Sequence, residues 1–242
     1  MKLSKQSITH LKALLQAVAI PKIDKIVIEN GQARGVDDDQ TVAIISDTNI
    51  PDFGGKTVGL NRLSTLVNRL NLLESIEDLQ VEAVEQGDSI ASFNISAKGT
   101  KFQYKCARAD VIKAPKKLYD DFKWLINIDA DSIKLAISAA NTMDSEQIAL
   151  CSKSNGEVYF EIVDGITKDT FTSVIAIEAS WIPEDEDRPT QSFVHYYAIK
   201  TLIPLLKAIS SGPAALVVGE AGMLQITVNN AHTFTLLPRE NE

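Results

Sequence analysis

The chain has 242 residues, a formal charge of −8 and an apolar content of 45%. That balance excludes a disordered chain, and two cysteines far apart in sequence, Cys106 and Cys151, exclude a disulfide scaffold. No apolar run approaches the roughly 18 residues of a membrane helix, and Met1-Lys2-Leu3-Ser4 does not open a signal peptide, so a soluble cytoplasmic protein with free thiols is expected.

The first element in chain order is a helix over Lys5–Ala19. Ile8, Leu11, Leu15 and Val18 recur at spacings of three and four, Ser4 is its N-cap and Pro21 stops it. A strand follows around Ile23–Ile28, and Asn30-Gly31 suits a tight hairpin. Strand signals continue at Ala33–Val36 and Thr41–Asp47. Pro51–Gly59 reads as a loop. A second helix spans about Arg62–Leu72, with Leu63, Leu66, Val67 and Leu70 on its apolar face. From Leu79 to Arg108 the chain is strand in character, with a turn at Lys98-Gly99. Residues 109–121 carry a proline and no clear period, and read as a linker.

The same order then begins again. Lys123–Asp129 is a strand, and Ser132–Asn141 is a helix capped by Asp129 or Asp131. Strands at Gln147–Lys153 and Val158–Val163 join at Asn155-Gly156. Another strand covers Thr172–Ala179, and 183–189 is an acidic, solvated loop. Phe193–Ile199 is a strand leading into a helix that ends near Ser210. Strands at Ala214–Gly219, Leu224–Val228 and His232–Leu237 close the chain. Four landmarks recur in order: Lys5 with Lys134, Asn30-Gly31 with Asn155-Gly156, Arg62 with Lys200, and Lys98-Gly99 with Asn229-Asn230. The prediction is an α+β protein of two similar tandem domains, 1–108 and 122–242, joined by the linker 109–121. Each has two helices packed on antiparallel sheet.

The helices carry the unusual charge. Across windows 5–20, 60–73, 131–141 and 199–211 the only acid is Asp131, at a helix start where the dipole favours it. The same windows hold Lys5, Lys12, Arg62, Arg69, Lys134, Lys200 and Lys207. Lys5, Thr9, Lys12 and Gln16 share one stripe. Arg62, Thr65 and Arg69 share another, as do Lys134, Ser138 and Asn141, and Lys200, Pro204 and Lys207. Pro204 is tolerable only in a first turn, which places Lys200 at the helix entry. None of Phe, Tyr or Trp falls within these stripes. Cations and short polar groups without aromatics suit the phosphate backbone of duplex nucleic acid. Base reading wants bidentate groups in a groove, and single strands want stacking platforms. From Leu118 onward the chain has 8 basic and 18 acidic residues, so an acidic outside with a basic inside fits a closed ring.

Nothing points to an enzyme. His10, His195 and His232 share no spacing with a nucleophile or metal ligand, and the phosphate-loop, dinucleotide and nucleophile-elbow motifs are absent. Asp37-Asp38-Asp39 reads as a solvated turn. No cofactor and no metal is expected. The alternative to nucleic-acid binding is a non-enzymatic structural or virion oligomer, which predicts association but not acid-poor helices.

Met1-Lys2-Leu3-Ser4-Lys5, Val111-Ile112-Lys113-Ala114-Pro115-Lys116 and Asn127–Ile133 resemble the DNA sliding clamps of T-even-type bacteriophages. That resemblance implies the DNA-clamp fold and a homotrimeric ring. Its partners would be duplex DNA bound without sequence preference, the replicative polymerase and an ATP-dependent clamp loader. It assigns the helix cations to DNA. It pairs the strand of Lys101, Gln103 and Lys105 with the strand of Thr172, Val174 and Ala176 in the next subunit. A partner's terminal peptide would dock on Val111, Ile112 and Pro115 together with Leu236, Leu237 and Pro238.

Overall fold

A computed structural model describes residues 1–74, 78–115, 121–177, 179–182 and 192–239. The chain divides into two compact units, Met1–Lys117 and Leu118–Glu242. The predicted acidic loop 183–189 lies outside the described residues, as do 116–120 of the predicted linker.

Unit 1 begins with α1 (Lys5–Ala19), where Ser7 N–H donates to the Ser4 cap at 3.0 Å. Four antiparallel strands follow: β1 (Lys25–Glu29), β2 (Gln32–Val36), β3 (Val42–Ser46) and β4 (Val58–Asn61). Their order is β3-β2-β1-β4. Asn30 and Gly31 both have positive φ, as the hairpin between β1 and β2 requires. Next come α2 (Leu63–Glu74) and a second sheet of β5 (Gln80–Gln86), β6 (Ser89–Ala97) and β7 (Thr100–Lys105), in that order.

Two sequence expectations are corrected here. Pro51–Gly59 is not all loop, because β4 begins at Val58 and pairs with β1. A four-residue strand containing glycine carries no readable alternation. The glycine has a steric reason: a Cβ on Gly59 would lie 2.4 Å from the carbonyl oxygen of Ala107, whose N–H bonds back to Gly59 at 2.9 Å. Also, α2 runs two residues past Leu72 and therefore includes an acid, Glu74.

Unit 2 opens with β8 (Phe122–Ile128) and α3 (Ala130–Thr142). Asp129 caps α3, accepting from the N–H groups of Asp131 and Ser132 at 2.8 Å each. Those bonds, Ser132 first, hold its carboxyl below the usual carboxylate range. Strands β9 (Gln147–Ser152), β10 (Val158–Val163) and β11 (Thr170–Ala176) follow, then the two-residue β12 (Ser180–Trp181) and β13 (Val194–Ala198). The strand predicted over Thr172–Ala179 thus starts two residues earlier and ends at Ala176. β12, too short for any periodicity, pairs with β8. The unit closes with α4 (Ile199–Ile209), β14 (Ala214–Gly219), β15 (Leu224–Val228) and β16 (His232–Leu236). Its sheets run β12-β8-β14-β15-β16 and β11-β10-β9-β13.

In each unit two helices lie side by side and press one apolar stripe against sheet. Leu11, Leu14 and Leu15 of α1, Leu66 and Leu70 of α2, and Leu202, Leu205 and Leu206 of α4 are fully buried. Each such side chain contributes roughly 1.5–3 kcal/mol relative to exposure.

One buried tyrosine in each core is tied to the backbone. In unit 1 the Tyr104 hydroxyl donates to the Asn61 carbonyl and accepts from the Asn61 N–H at 3.0 Å. Burial pushes this phenol up to about 12. In unit 2 the Tyr197 hydroxyl donates to the Gly222 carbonyl at 2.6 Å. Gly222 has φ +81°, and a Cβ there would lie 2.5 Å from His195 Nδ1. His195 stacks on Phe193 with its Nε2 buried and without a partner, and burial lowers its pKa.

Tyr104→Phe leaves the Asn61 amide without its acceptor and is expected to lower stability by about 1–3 kcal/mol in urea unfolding at neutral pH. His195 gives a pH effect. Its folded-state pKa lies below the ordinary value near 6.5. The unfolded chain therefore binds the proton more readily, and stability falls as pH drops through that ordinary value. Unfolding free energies measured from pH 7.5 to 5.5 should show this slope, and His195→Asn should flatten it.

Candidate nucleic-acid interface

The helix cations occupy two different settings, one on α1, α3 and α4 and one at α2. On α1, Lys5, Thr9 and Gln16 are exposed and Lys12 is half-buried. On α3, Lys134 and Ser138 are exposed one turn apart, and Ser138 turns its hydroxyl back to the Lys134 carbonyl at 2.9 Å. Lys134 also meets Asp131 at 3.1 Å, an exposed pair of the kind that contributes at most about 1 kcal/mol. On α4, Lys200 and Lys207 are both exposed.

The expected position of Lys200 before its helix is corrected: α4 starts at Ile199 and holds Pro204 in its interior. The proline takes the sixth helical position, where its missing N–H removes one ladder bond. The start of α4 is held from outside instead, by the Glu146 carbonyl accepting from Ile199 N–H at 2.9 Å. Lys207 lies in the last turn, where a cation is favoured by the helix dipole.

The α2 arginines differ from the lysines. Arg62 is not helical; it has φ +53° and immediately precedes α2. The first helical N–H, that of Leu63, is taken by the Asp24 carboxylate at 2.8 Å, a cap supplied from 39 residues away. Arg62 then reaches over the Tyr104 ring, 5.8 Å from its centroid, and donates to the Lys105 carbonyl at 3.4 Å. Arg69 lies 5.9 Å over the Phe102 ring and donates to the Gln103 carbonyl at 3.0 Å. In the linear sequence the stripes are free of aromatics. In space β7 brings two rings beside the two arginines. The signal was present in Lys101–Lys105, where alternation puts Phe102 and Tyr104 on one face.

With helix bounds as observed, the four helices carry Lys5, Lys12, Arg69, Lys134, Lys200 and Lys207 against two acids, Asp131 and Glu74. The cation excess on helices of an acidic chain stands. What it can do chemically is bind anions at long range without bond formation. Among the described residues no group of three or more His, Cys, Asp or Glu could hold a metal ion. Asp37 folds a turn, accepting from Thr41 N–H at 2.7 Å and Val42 N–H at 2.9 Å. Both thiols are pushed up by burial, Cys106 to about 12 and Cys151 to about 11.

Strands β7 and β11, expected to meet in assembly, are each the end strand of their sheet. Lys101, Gln103, Lys105, Thr172 and Val174 are exposed, and Ala176 is half-buried. Of the residues expected to hold a partner peptide, Val111 is 67% exposed, Pro115 half-buried and Ile112 buried in unit 1. In unit 2, Leu237 is 41% exposed and Pro238 half-buried, whereas Leu236 is 1% exposed and faces the core from β16. The alternation along β16 explains that difference: Phe234 and Leu236 point inward, and Leu237 leaves the strand.

No protein-family model and no curated protein matches the chain. Solved structures do. PCNA of A. fulgidus, bound to the C-terminal region of FEN-1, superposes with a TM-score of 0.68 at 16% identity, over 100% of this chain and 99% of that one. The proliferating cellular nuclear antigen of Entamoeba histolytica gives 0.66 at 12%, over 99% and 98%. The PCNA2–PCNA3 complex of Sulfolobus tokodaii gives 0.62 at 13%, over 98% of each chain. The chain has the DNA-clamp fold along its whole length.

Asp24→Ala removes the acceptor that starts α2 and is expected to destabilise unit 1 by about 0.5–2 kcal/mol in thermal or urea unfolding, with Asp24→Asn recovering part of the loss.

Proposed function

We propose that the chain is a sliding clamp: three copies close into a ring around duplex DNA and tether the replicative polymerase. The observation that carries this reading is the excess of cations over acids summed across the four helices, six against two, on a full-length clamp fold. In such a ring Lys5, Lys12, Arg62, Arg69, Lys134, Lys200 and Lys207 face the phosphates, and β7 of one copy pairs with β11 of the next. The two end strands support that pairing, since an unpaired edge is a template for another strand. The PCNA2–PCNA3 complex supports assembly between clamp chains, and the FEN-1 complex supports a partner peptide docking on a clamp. Taken unit by unit, the exposed apolar residue for such a peptide is Val111 in unit 1, next to buried Ile112, and Leu237 in unit 2, next to buried Leu236. The short matches around Met1–Lys5, Val111–Lys116 and Asn127–Ile133 support an origin among T-even-type phages, with an ATP-dependent loader and action in the host cytoplasm.

The mechanism is topological and calls for no bond chemistry. A closed ring cannot leave sideways, so its contacts with DNA can be weak. Contacts made only to phosphates have no preferred register, and the ring slides. A polymerase held on the ring stays at high effective concentration near the primer end.

The direct test is the triple variant Lys5→Glu, Lys134→Glu, Lys207→Glu. These side chains are exposed, so folding and assembly should persist. Light scattering should give three times the 26.4 kDa chain mass for both proteins at micromolar concentration. Loader-dependent extension on primed circular DNA at moderate salt should fall at least about tenfold, because phosphate contacts dominate affinity. Undiminished processive synthesis by the triple variant would refute the reading, and a structural oligomer would show no difference.

A further inference from the structure

The arginines at the start of α2 touch backbone that an arriving strand would need. β7 has β6 on one side only. Cys106 N–H donates to the Ala91 carbonyl of β6 at 2.9 Å, so residue 106 directs its peptide groups inward. Alternation along the strand then turns the groups of Tyr104 and Phe102 inward and those of Lys105, Gln103 and Lys101 toward the open edge. The Gln103 and Lys105 carbonyls on that edge are the two that Arg69 and Arg62 occupy, at 3.0 and 3.4 Å. Each guanidinium is also fixed over a β7 ring, Phe102 or Tyr104. A guanidinium carries five donors and no acceptor, so it can cover strand carbonyls but cannot extend the ladder.

We propose that Arg62 and Arg69 cap the open edge of β7 in the single chain, and that pairing with a second copy displaces both guanidiniums from the Gln103 and Lys105 carbonyls. This rests on the clamp reading for the identity of the arriving strand, β11 of another copy. The cap does two things. It blunts the β7 edge over Lys101–Lys105, which limits unregulated strand addition there. It also links assembly to the site: the two cations become available to phosphate only after a partner strand has taken over the carbonyls. Arg62 and Arg69 are thus positioning residues for assembly, unlike Lys5, Lys134 and Lys207, whose exposure does not depend on an edge.

The test compares self-association of the wild type with Arg62→Gln/Arg69→Gln by sedimentation equilibrium and mass photometry. Losing two carbonyl bonds that compete with pairing should tighten association, by roughly tenfold in Kd for the assembled state. Loss of two positive charges makes an acidic chain more acidic, which opposes association, so a tightening cannot come from net charge. Adding Gln103→Pro, which removes an edge N–H without touching the β6 ladder, should cancel the gain. Carbonyl 13C shifts of Gln103 and Lys105 in dilute protein should move on the double substitution, while those of inward-facing Tyr104 should not.

The outcomes separate the two readings. A trimeric wild type with a tighter double variant supports both. A monomeric wild type whose double variant associates through β7 supports the cap and refutes the ring. A trimeric wild type with an unchanged or weaker double variant leaves the ring and overturns the cap. Unmoved carbonyl shifts, or no association by either protein, also overturn the cap.

Discussion

Each helix has a single apolar stripe, and each stripe must be buried on sheet. Everything else about the charged surface follows from that constraint. Once Leu11, Leu14 and Leu15 of α1 or Leu202, Leu205 and Leu206 of α4 are in the core, the opposite side of the helix faces outward. Whatever residues the 3.6 period places there become surface. In this chain they are lysines, hydroxyls and amides, with few carboxylates and the exposed Leu72 and Leu135 among them, although the chain as a whole is acidic. The charge distribution is therefore bound to the fold: rotating a helix to hide its lysines would expose leucines.

The two units solve the same packing problem with different local parts. Unit 1 starts α2 with a carboxylate borrowed from Asp24, and unit 2 starts α4 with a borrowed carbonyl from Glu146. Unit 1 ties a buried tyrosine to Asn61, and unit 2 ties one to Gly222. In both, a buried hydroxyl finds backbone, which offsets the cost of taking it out of water. The cations differ as well. Those of α1, α3 and α4 extend from exposed faces, whereas those of α2 lean on strand β7. An arginine suits that position because its planar group stacks on a ring and donates along the ring's edge at once, which a lysine ammonium cannot do.

A surface of this kind fits the proposed ring in a further respect. Sequence-independent sliding demands contacts that are numerous, electrostatic and unspecific. Long side chains on well-packed helices provide them, with the rigid part of the structure kept away from the bases. In that proposed ring the end strands β7 and β11 would supply the complementary directional element, because backbone pairing fixes geometry where charge does not.

Much of this was legible in the sequence. The four helices, their apolar faces, the Ser4 and Asp129 caps and the Asn-Gly hairpin of unit 1 are local and periodic, so a short window carries the signal. The charge asymmetry is likewise a property of composition within each window. What the sequence did not show depends on residues meeting across long separations. Arg62 stands just outside its helix, with a positive φ, and the Leu63 N–H is taken by Asp24 from far back in the chain. β4 exists because β1 pairs with it and Gly59 lets Ala107 pass closely. The α2 arginines have aromatic neighbours because β7 folds back beside them. Leu236 and Leu237, given one and the same role from the sequence, take different positions, since strand alternation and not hydrophobicity decides which side chain turns inward. The sequence by itself determined which segments are helices and which faces carry charge, because backbone periodicity and side-chain chemistry are encoded residue by residue. Only the tertiary structure decided which strand edges stay open and what covers them, because a strand's neighbours are set by packing over the whole unit.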